Sequence, residues 1–136
     1  MAKFGRRSKA NLSTCDNDLQ KLFNEVVKYY DCSVICGHRD EDAQNEAFYG
    51  GRSKLKYPRS RHNSFPSRAV DVAPYYANSS EKIPWNDKEK FVLFAGFVLG
   101  IAANMGIRVR WGGDFNMNWD AKDQSFFDGP HFELLD

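Results

Sequence analysis

Apolar residues at Leu19, Leu22, Phe23, Val26, Val27 and Tyr30 fall on one face of a 3.6-residue repeat, with Asp16 where an N-cap belongs. This spacing predicts a helix from about Asn17 to Tyr30. A short strand is expected around Ser33–Cys36, then a second helix from near Asp40 to Tyr49. Glu41 and Asp42 suit the positive end of that helix, and Gly50-Gly51 stops it. Residues 51 to 67 read as a polar loop, with Pro58 and Pro66 opposing helix. Arg68 to Ala73 has strand character and Pro74 closes it. Asn86 or Asp87 caps a long helix that ends at Gly106. A strand from Ile107 to Trp111 follows, then a loop rich in Asp, Asn and Gly, and a final strand over His131–Leu135. Short strands that cannot all be parallel neighbours, with helices at the front and middle, predict an α+β domain. Its helices pack on one face of a small, mainly antiparallel sheet.

Alternation within two of these strands separates apolar from polar faces. Val70 and Val72 point one way, and Ala69, Asp71 and Ala73 the other. In the last strand Phe132 and Leu134 share a face, and His131 and Glu133 share the opposite one. The bulky residues are thus expected against helices, leaving an acid and an imidazole to line an open cleft. Alternation permits such a site without requiring one, since a lone Asp or His on a strand is usually just solvated.

Bulk properties narrow the classes. A chain of 136 residues fits one domain spanning 1–136, and 42% hydrophobic with 15% aromatic content is that of a folded protein rather than a disordered one. The 19 basic and 18 acidic residues leave a net charge of +1, without the basic excess of a nucleic-acid binder. The most apolar stretch, Phe91–Ala103, is shorter than the roughly 20 residues a spanning helix needs, so no membrane insertion is expected. Lys3, Arg6, Arg7 and Lys9 resemble the start of a signal peptide, but no apolar core follows them and no secretion signal is expected. Cys32 and Cys36, if on one strand, lie roughly 13 Å apart at ~3.3 Å per residue, too far for a disulfide. Together with Cys15 they are expected to be reduced, mostly buried thiols.

Three segments taken together carry the candidate chemistry: Ser60-Arg61-His62 with Ala69-Val70-Asp71, then Trp111-Gly112-Gly113-Asp114, then Asp128-Gly129-Pro130-His131-Phe132-Glu133. In order and separation they resemble the metallopeptidases grouped as lysostaphin, D-Ala-D-Ala peptidases and sonic hedgehog. The resemblance is strongest to the small phage endolysins of that group that act as L-alanyl-D-glutamate endopeptidases, and it covers nearly the whole chain. It implies a Zn2+ ion held by His62, Asp71 and His131. Asp71 follows His62 at a longer interval than in many members, because Asn63–Ser67 lengthens the loop between them. Two neutral imidazoles and one carboxylate leave zinc a position open for water, whose pKa falls to about 7. The resemblance further implies Asp128 as the catalytic base and Arg39 as the oxyanion donor. Gln44 and Ser60 are placed on the substrate side, Gln44 helping to shape the site. Glu133 is a candidate to orient a ligand from behind, and His38 is expected to be no ligand. The helical zinc motif His-Glu-x-x-His is absent from the sequence.

The implied function is hydrolysis of bacterial peptidoglycan at the L-alanyl-D-glutamate bond by a monomeric endolysin. It would wait in the host cytoplasm until lysis gives access to the wall. A D-Ala-D-Ala carboxypeptidase shares the metal and the base and is the nearest alternative. A zinc-bearing binding module without catalysis is a second, and the presence of Asp128 and Arg39 argues against it. A small metal-dependent nuclease is a third, disfavoured by the neutral charge. One further motif remains. Asp114, Asn116 and Asn118 alternate like the first half of a calcium loop, but Trp119 replaces the usual Gly and Ser125 the closing Glu. A polar turn is the reading this sequence favours there.

Overall fold

The computed structural model describes residues 2–136. Its elements are α1 (Arg6–Leu12), α2 (Asn17–Val26), β1 (Cys32–Cys36), α3 (Glu41–Tyr49), β2 (Ala69–Pro74), α4 (Lys88–Met105), β3 (Val109–Trp111) and β4 (His131–Leu134), with a 3-10 turn at Arg61–Asn63. The four strands form one sheet in the order β1-β2-β4-β3, every neighbouring pair antiparallel. Helices pack on this open sheet, as the strand faces predict. Among the described residues no helix is long and apolar enough to cross a membrane.

Local signals act as expected at most boundaries. The Asp16 carboxylate accepts from the Asp18 amide to start α2, Asp40 accepts from Ala43 to start α3, and Asp87 accepts from Lys90 to start α4. Gly106 ends α4 in the left-handed conformation at φ 71°. Helix α2 stops at Val26 rather than Tyr30. The chain tightens there, with the amides of Tyr29 and Tyr30 both bonding back to the Val26 carbonyl. Tyr30 nevertheless stays on the core, edge-on to Phe94 at 5.0 Å between ring centroids.

Helix α1 has no apolar stripe in its sequence, and only Ser8 and Leu12 of it are buried. Its reason is tertiary. The Ser8 hydroxyl accepts from the Val34 amide at 3.0 Å, and the Asn11 amide donates to the carbonyls of Val34 at 2.8 Å and Ile35 at 3.2 Å. Strand β1 is a sheet edge, and α1 supplies the hydrogen bonds its outer side would otherwise lack.

The core gathers on the face bearing Val70, Val72, Phe132 and Leu134, against α2 and α4. Phe132 sits at its centre, fully buried, edge-on to Phe23 at 5.4 Å and Phe94 at 6.2 Å. Truncation there removes contacts with both helices at once. Phe132→Ala should therefore cost about 3–5 kcal/mol, read as a shifted urea midpoint. A cost below about 1 kcal/mol would show that the site repacks.

Candidate metal centre

The opposite sheet face holds the polar cluster. Across the β2–β4 ladder Asp71 stands directly opposite His131, and Ala69 opposite Glu133. Residues paired in this way project to the same side, so the strand register alone brings the carboxylate and the imidazole together. His62 arrives from the 3-10 turn, whose N-cap Ser60 accepts from the His62 amide at 3.2 Å while Asn63 bonds back to the Ser60 amide. The backbone amide of Arg39 donates to the His62 carbonyl at 2.8 Å, tying this turn to the segment after β1. A bulge between Val34 and Cys36 shifts the β1 register just before that segment. The ligand side chains on this face are well covered. His62 is 1% exposed, Asp71 and His131 8% each.

The ring nitrogens are committed in a way that fits a cation. His62 Nδ1 lies 2.7 Å from the Gly37 carbonyl and His131 Nε2 lies 2.7 Å from Glu133 Oε1. Both partners are acceptors, so these nitrogens carry the protons and leave His62 Nε2 and His131 Nδ1 as the free ligand atoms. Those two atoms lie 3.3 Å and 3.4 Å from Asp71 Oδ1. The three residues can offer one donor atom each within 4.8 Å of one another. His62 Nε2 and Asp71 Oδ1 are buried and make no hydrogen bond. Orphaned buried atoms of this kind call for an occupant. Two imidazole nitrogens and one carboxylate oxygen are a zinc donor set with room for a fourth ligand.

The electrostatics agree. Burial pulls both imidazoles down, but Asp71 outweighs it, lifting His62 to about 10 and His131, with help from Glu133, to about 9. Asp71 is itself held well below the usual carboxylate range: burial opposes this, and the two histidines prevail. Without metal the cluster thus binds protons where a cation would sit. Glu133 is held down at about 2, against its burial, by hydrogen bonds from His131 and Arg110. Arg110 reaches it at 2.7 Å and Arg61 at 3.0 Å. Glu133 thus stands behind the ligand His131, fixed by two arginines from distant positions in the chain.

Asp128 Oδ2 lies 4.0 Å from His131 Nδ1, beside the cluster rather than in it. Burial, with Asp71 nearby, raises its pKa to about 6. Arg39 donates to Asp71 Oδ2 at 3.1 Å and to Gln44 Oε1 at 3.2 Å. Gln44, expected on the substrate side, is completely buried. Its amide nitrogen donates to Ser53 Oγ and the Leu55 carbonyl, and its oxygen accepts from Arg39 and Asn63. With no surface to offer a substrate, it shapes the cleft by tying Arg39 to the loop after α3. Arg39, Ser60, His62, Asp128 and His131 all line one cavity of about 400 Å³. His38 faces elsewhere, with Nδ1 3.0 Å from the Ser64 carbonyl and its ring edge-on to Phe65.

Gly112 is a residue whose role the sequence motif did not reveal. Its amide donates to the His131 carbonyl at 2.7 Å, and its carbonyl accepts from the Asp128 amide at 2.8 Å. It thereby sets the spacing between Asp128 and His131. A side chain there would collide with the Asp128 carbonyl and press within 3.0 Å of Cβ atoms of both Asp128 and His131. Gly112→Ala should cost about 1–3 kcal/mol from overpacking and lower turnover by about a hundredfold, the sensitivity expected of a displaced catalytic group. Turnover within about twofold of the parent would show that the loop absorbs the methyl group.

The Asp114 loop is occupied by its own hydrogen bonds. Asp114 Oδ1 accepts from the Asn118 amide at 3.2 Å and Oδ2 from the Trp119 amide at 2.8 Å. Asn118 reaches Asp123 and Asp120, and Gln124 reaches Asn116. Met117 and Trp119 take positive φ values of 57° and 64°. This is turn geometry in which Asp114 satisfies the backbone. Cys15, Cys32 and Cys36 are free thiols, the first two buried.

Comparison with known proteins gives the same answer from a separate direction. The family model described as phage L-alanyl-D-glutamate peptidase matches residues 1–135. The L-alanyl-D-glutamate peptidase of Escherichia phage T5 is 34% identical over 140 residues, covering 98% of each chain. The crystal structure of Serratia marcescens L-Ala D-Glu endopeptidase ChiX is similar with a TM-score of 0.75 and 29% identity, over 98% of this chain and 90% of that one. With a zinc donor set formed by His62, Asp71 and His131, the chain belongs to the phage L-alanyl-D-glutamate peptidase family.

Proposed function

We propose that this protein is a zinc-dependent endopeptidase that opens bacterial peptidoglycan by hydrolysing the stem peptide between L-Ala and D-Glu. The observation that carries this reading is the convergence of His62 Nε2, Asp71 Oδ1 and His131 Nδ1 beside a cavity that also presents Asp128 and Arg39. The activity named for its relatives supplies the bond.

His62, Asp71 and His131 would hold the zinc, which when bound would supply the Lewis acidity that makes water nucleophilic at neutral pH. The protein's own groups do the rest. Asp128 accepts the proton of the attacking water and passes it to the departing amine of D-Glu. Arg39, already anchored by Asp71 and Gln44, supplies a fixed positive donor to the oxygen of the tetrahedral intermediate. Ser60 lines the cavity while its oxygen holds the His62 amide, which leaves its hydroxyl proton for a substrate carbonyl.

Digestion of purified peptidoglycan tests the reading. New D-Glu amino termini should accumulate, with L-Ala left on the muramyl group and no release of D-Ala. Such a cut detaches the stem from D-Glu onward from its sugar strand, whereas trimming a terminal D-Ala leaves existing cross-links in place. Free D-alanine without new D-Glu amines would establish a carboxypeptidase on the same metal site.

A further inference from the structure

The cleft is far more basic than the protein that contains it. The whole chain has a net charge of +1, yet Arg39, Arg52, Lys54, Arg59, Arg61 and Arg110 all line the cavity beside the metal ligands, against Asp128 and Glu133. Three of these cations are accounted for within the site. Arg39 is bound to Asp71, and Arg61 and Arg110 to Glu133. Arg52 approaches Glu46 at 3.9 Å with both side chains well exposed, a contact that contributes little. Among the described residues, Arg59 and Lys54 have no carboxylate partner; Lys54 Nζ lies 5.2 Å over the Phe126 ring.

The wall carrying these two cations is held by the interior. Gln44 fixes Ser53 and the Leu55 carbonyl, Asn45 accepts from the Tyr57 amide, and the Arg59 amide bonds to the Lys56 carbonyl. Arg59 immediately precedes Ser60, which caps the turn bearing His62. A loop solely for solubility has no need of a buried glutamine anchoring it beside a metal ligand. Unpaired cations set in a concave, partly apolar wall concentrate the field on whatever anion enters.

The proposed substrate carries an anion at that place. The D-Glu amine lies in the scissile bond and one of its carboxyl groups continues the stem. The other is a free carboxylate, or a neutral primary amide where the wall has been amidated. We propose that Arg59, assisted by Lys54, is a specificity-determining clamp for this free glutamyl carboxylate, so that the enzyme selects stems whose D-Glu is not amidated. This rests on the L-Ala–D-Glu reading above and names the chemistry that site prefers.

The test uses the zinc-loaded, full-length protein and two soluble muramyl peptides, alike except that the second has the free glutamyl carboxylate converted to an amide. The parent should cleave the carboxylate form with a KM about tenfold lower, the worth of one charge-assisted hydrogen bond. Arg59→Gln with Lys54→Gln should raise KM for the carboxylate form to that of the amide, with kcat much less affected. Arg59→Glu should reverse the preference. Both positions are exposed, so melting temperatures should match the parent's. Equal KM values for the two peptides in the parent, or an undiminished preference in the variants, would overturn the clamp. If the parent cleaves neither peptide, the L-Ala–D-Glu reading fails instead. Calorimetric binding of the product-side peptide and its amide then decides the clamp separately: equal affinities overturn it, and tighter binding of the carboxylate that Arg59→Gln removes supports it.

Discussion

His131→Ala is expected to emerge without zinc and without measurable turnover, while parent protein carries about one zinc per chain and is inactivated by chelation. His131 Nδ1 is one of three donor atoms meeting within 4.8 Å, and Asp71 and His62 cannot complete a three-residue set without it. The loss extends beyond one bond, because Glu133 is left facing Arg61 and Arg110 without the imidazole it oriented. Asp71→Ala should behave alike, and it also removes the carboxylate that Arg39 holds at 3.1 Å. Zinc uptake by stripped protein should release protons, because His62 and His131 are held protonated beside Asp71 until a cation replaces the protons. Affinity should accordingly fall as pH is lowered. Metal analysis, turnover and the dependence of calorimetric heat on the buffer measure the three claims. A His131→Ala protein retaining stoichiometric zinc would remove the assignment.

Asp128→Asn is expected to separate binding from chemistry, retaining zinc and the parent's thermal stability while turnover falls by about 10²–10⁴. Asp128 stands 4.0 Å from His131 Nδ1, beside the three-residue donor set. Its loop is held through the backbone, by the Asp128 amide on Gly112 and the His131 amide on the Asp128 carbonyl, and neither bond depends on the carboxylate. The amide therefore keeps the shape and removes only the proton acceptor. Asp128→Ala should lose comparable turnover. Near-normal rates in either variant would mean that another group serves as base. Glu133 is a poor substitute, being locked on His131, Arg61 and Arg110 and held at about 2.

Helices with strong periodicity or caps, and the face on which each strand presents its chemistry, were legible along the chain. Helices α2, α3 and α4 begin at Asp16, Asp40 and Asp87 because capping is decided within one turn of chain. Val70 and Val72 lie opposite Asp71 because side chains alternate along any strand. The ligands were legible only through the resemblance of an ordered set of motifs to a known family, since motif order survives in one dimension. The rest depends on contacts between distant segments. Helix α1 exists because an edge strand needs partners, and seven polar-rich residues with no apolar stripe gave no local reason for it. The burial of the three ligands around the cleft depends on bringing the 3-10 turn bearing His62 up to β2 and β4. The roles of Gln44 and Gly112 turn on what surrounds them: an amide fully used inside the wall, and a backbone with room for no side chain. Charge shows the contrast most clearly. A near-neutral total is a sum over the whole chain, whereas the basic cleft follows from which arginines the fold pairs with carboxylates and which it leaves free.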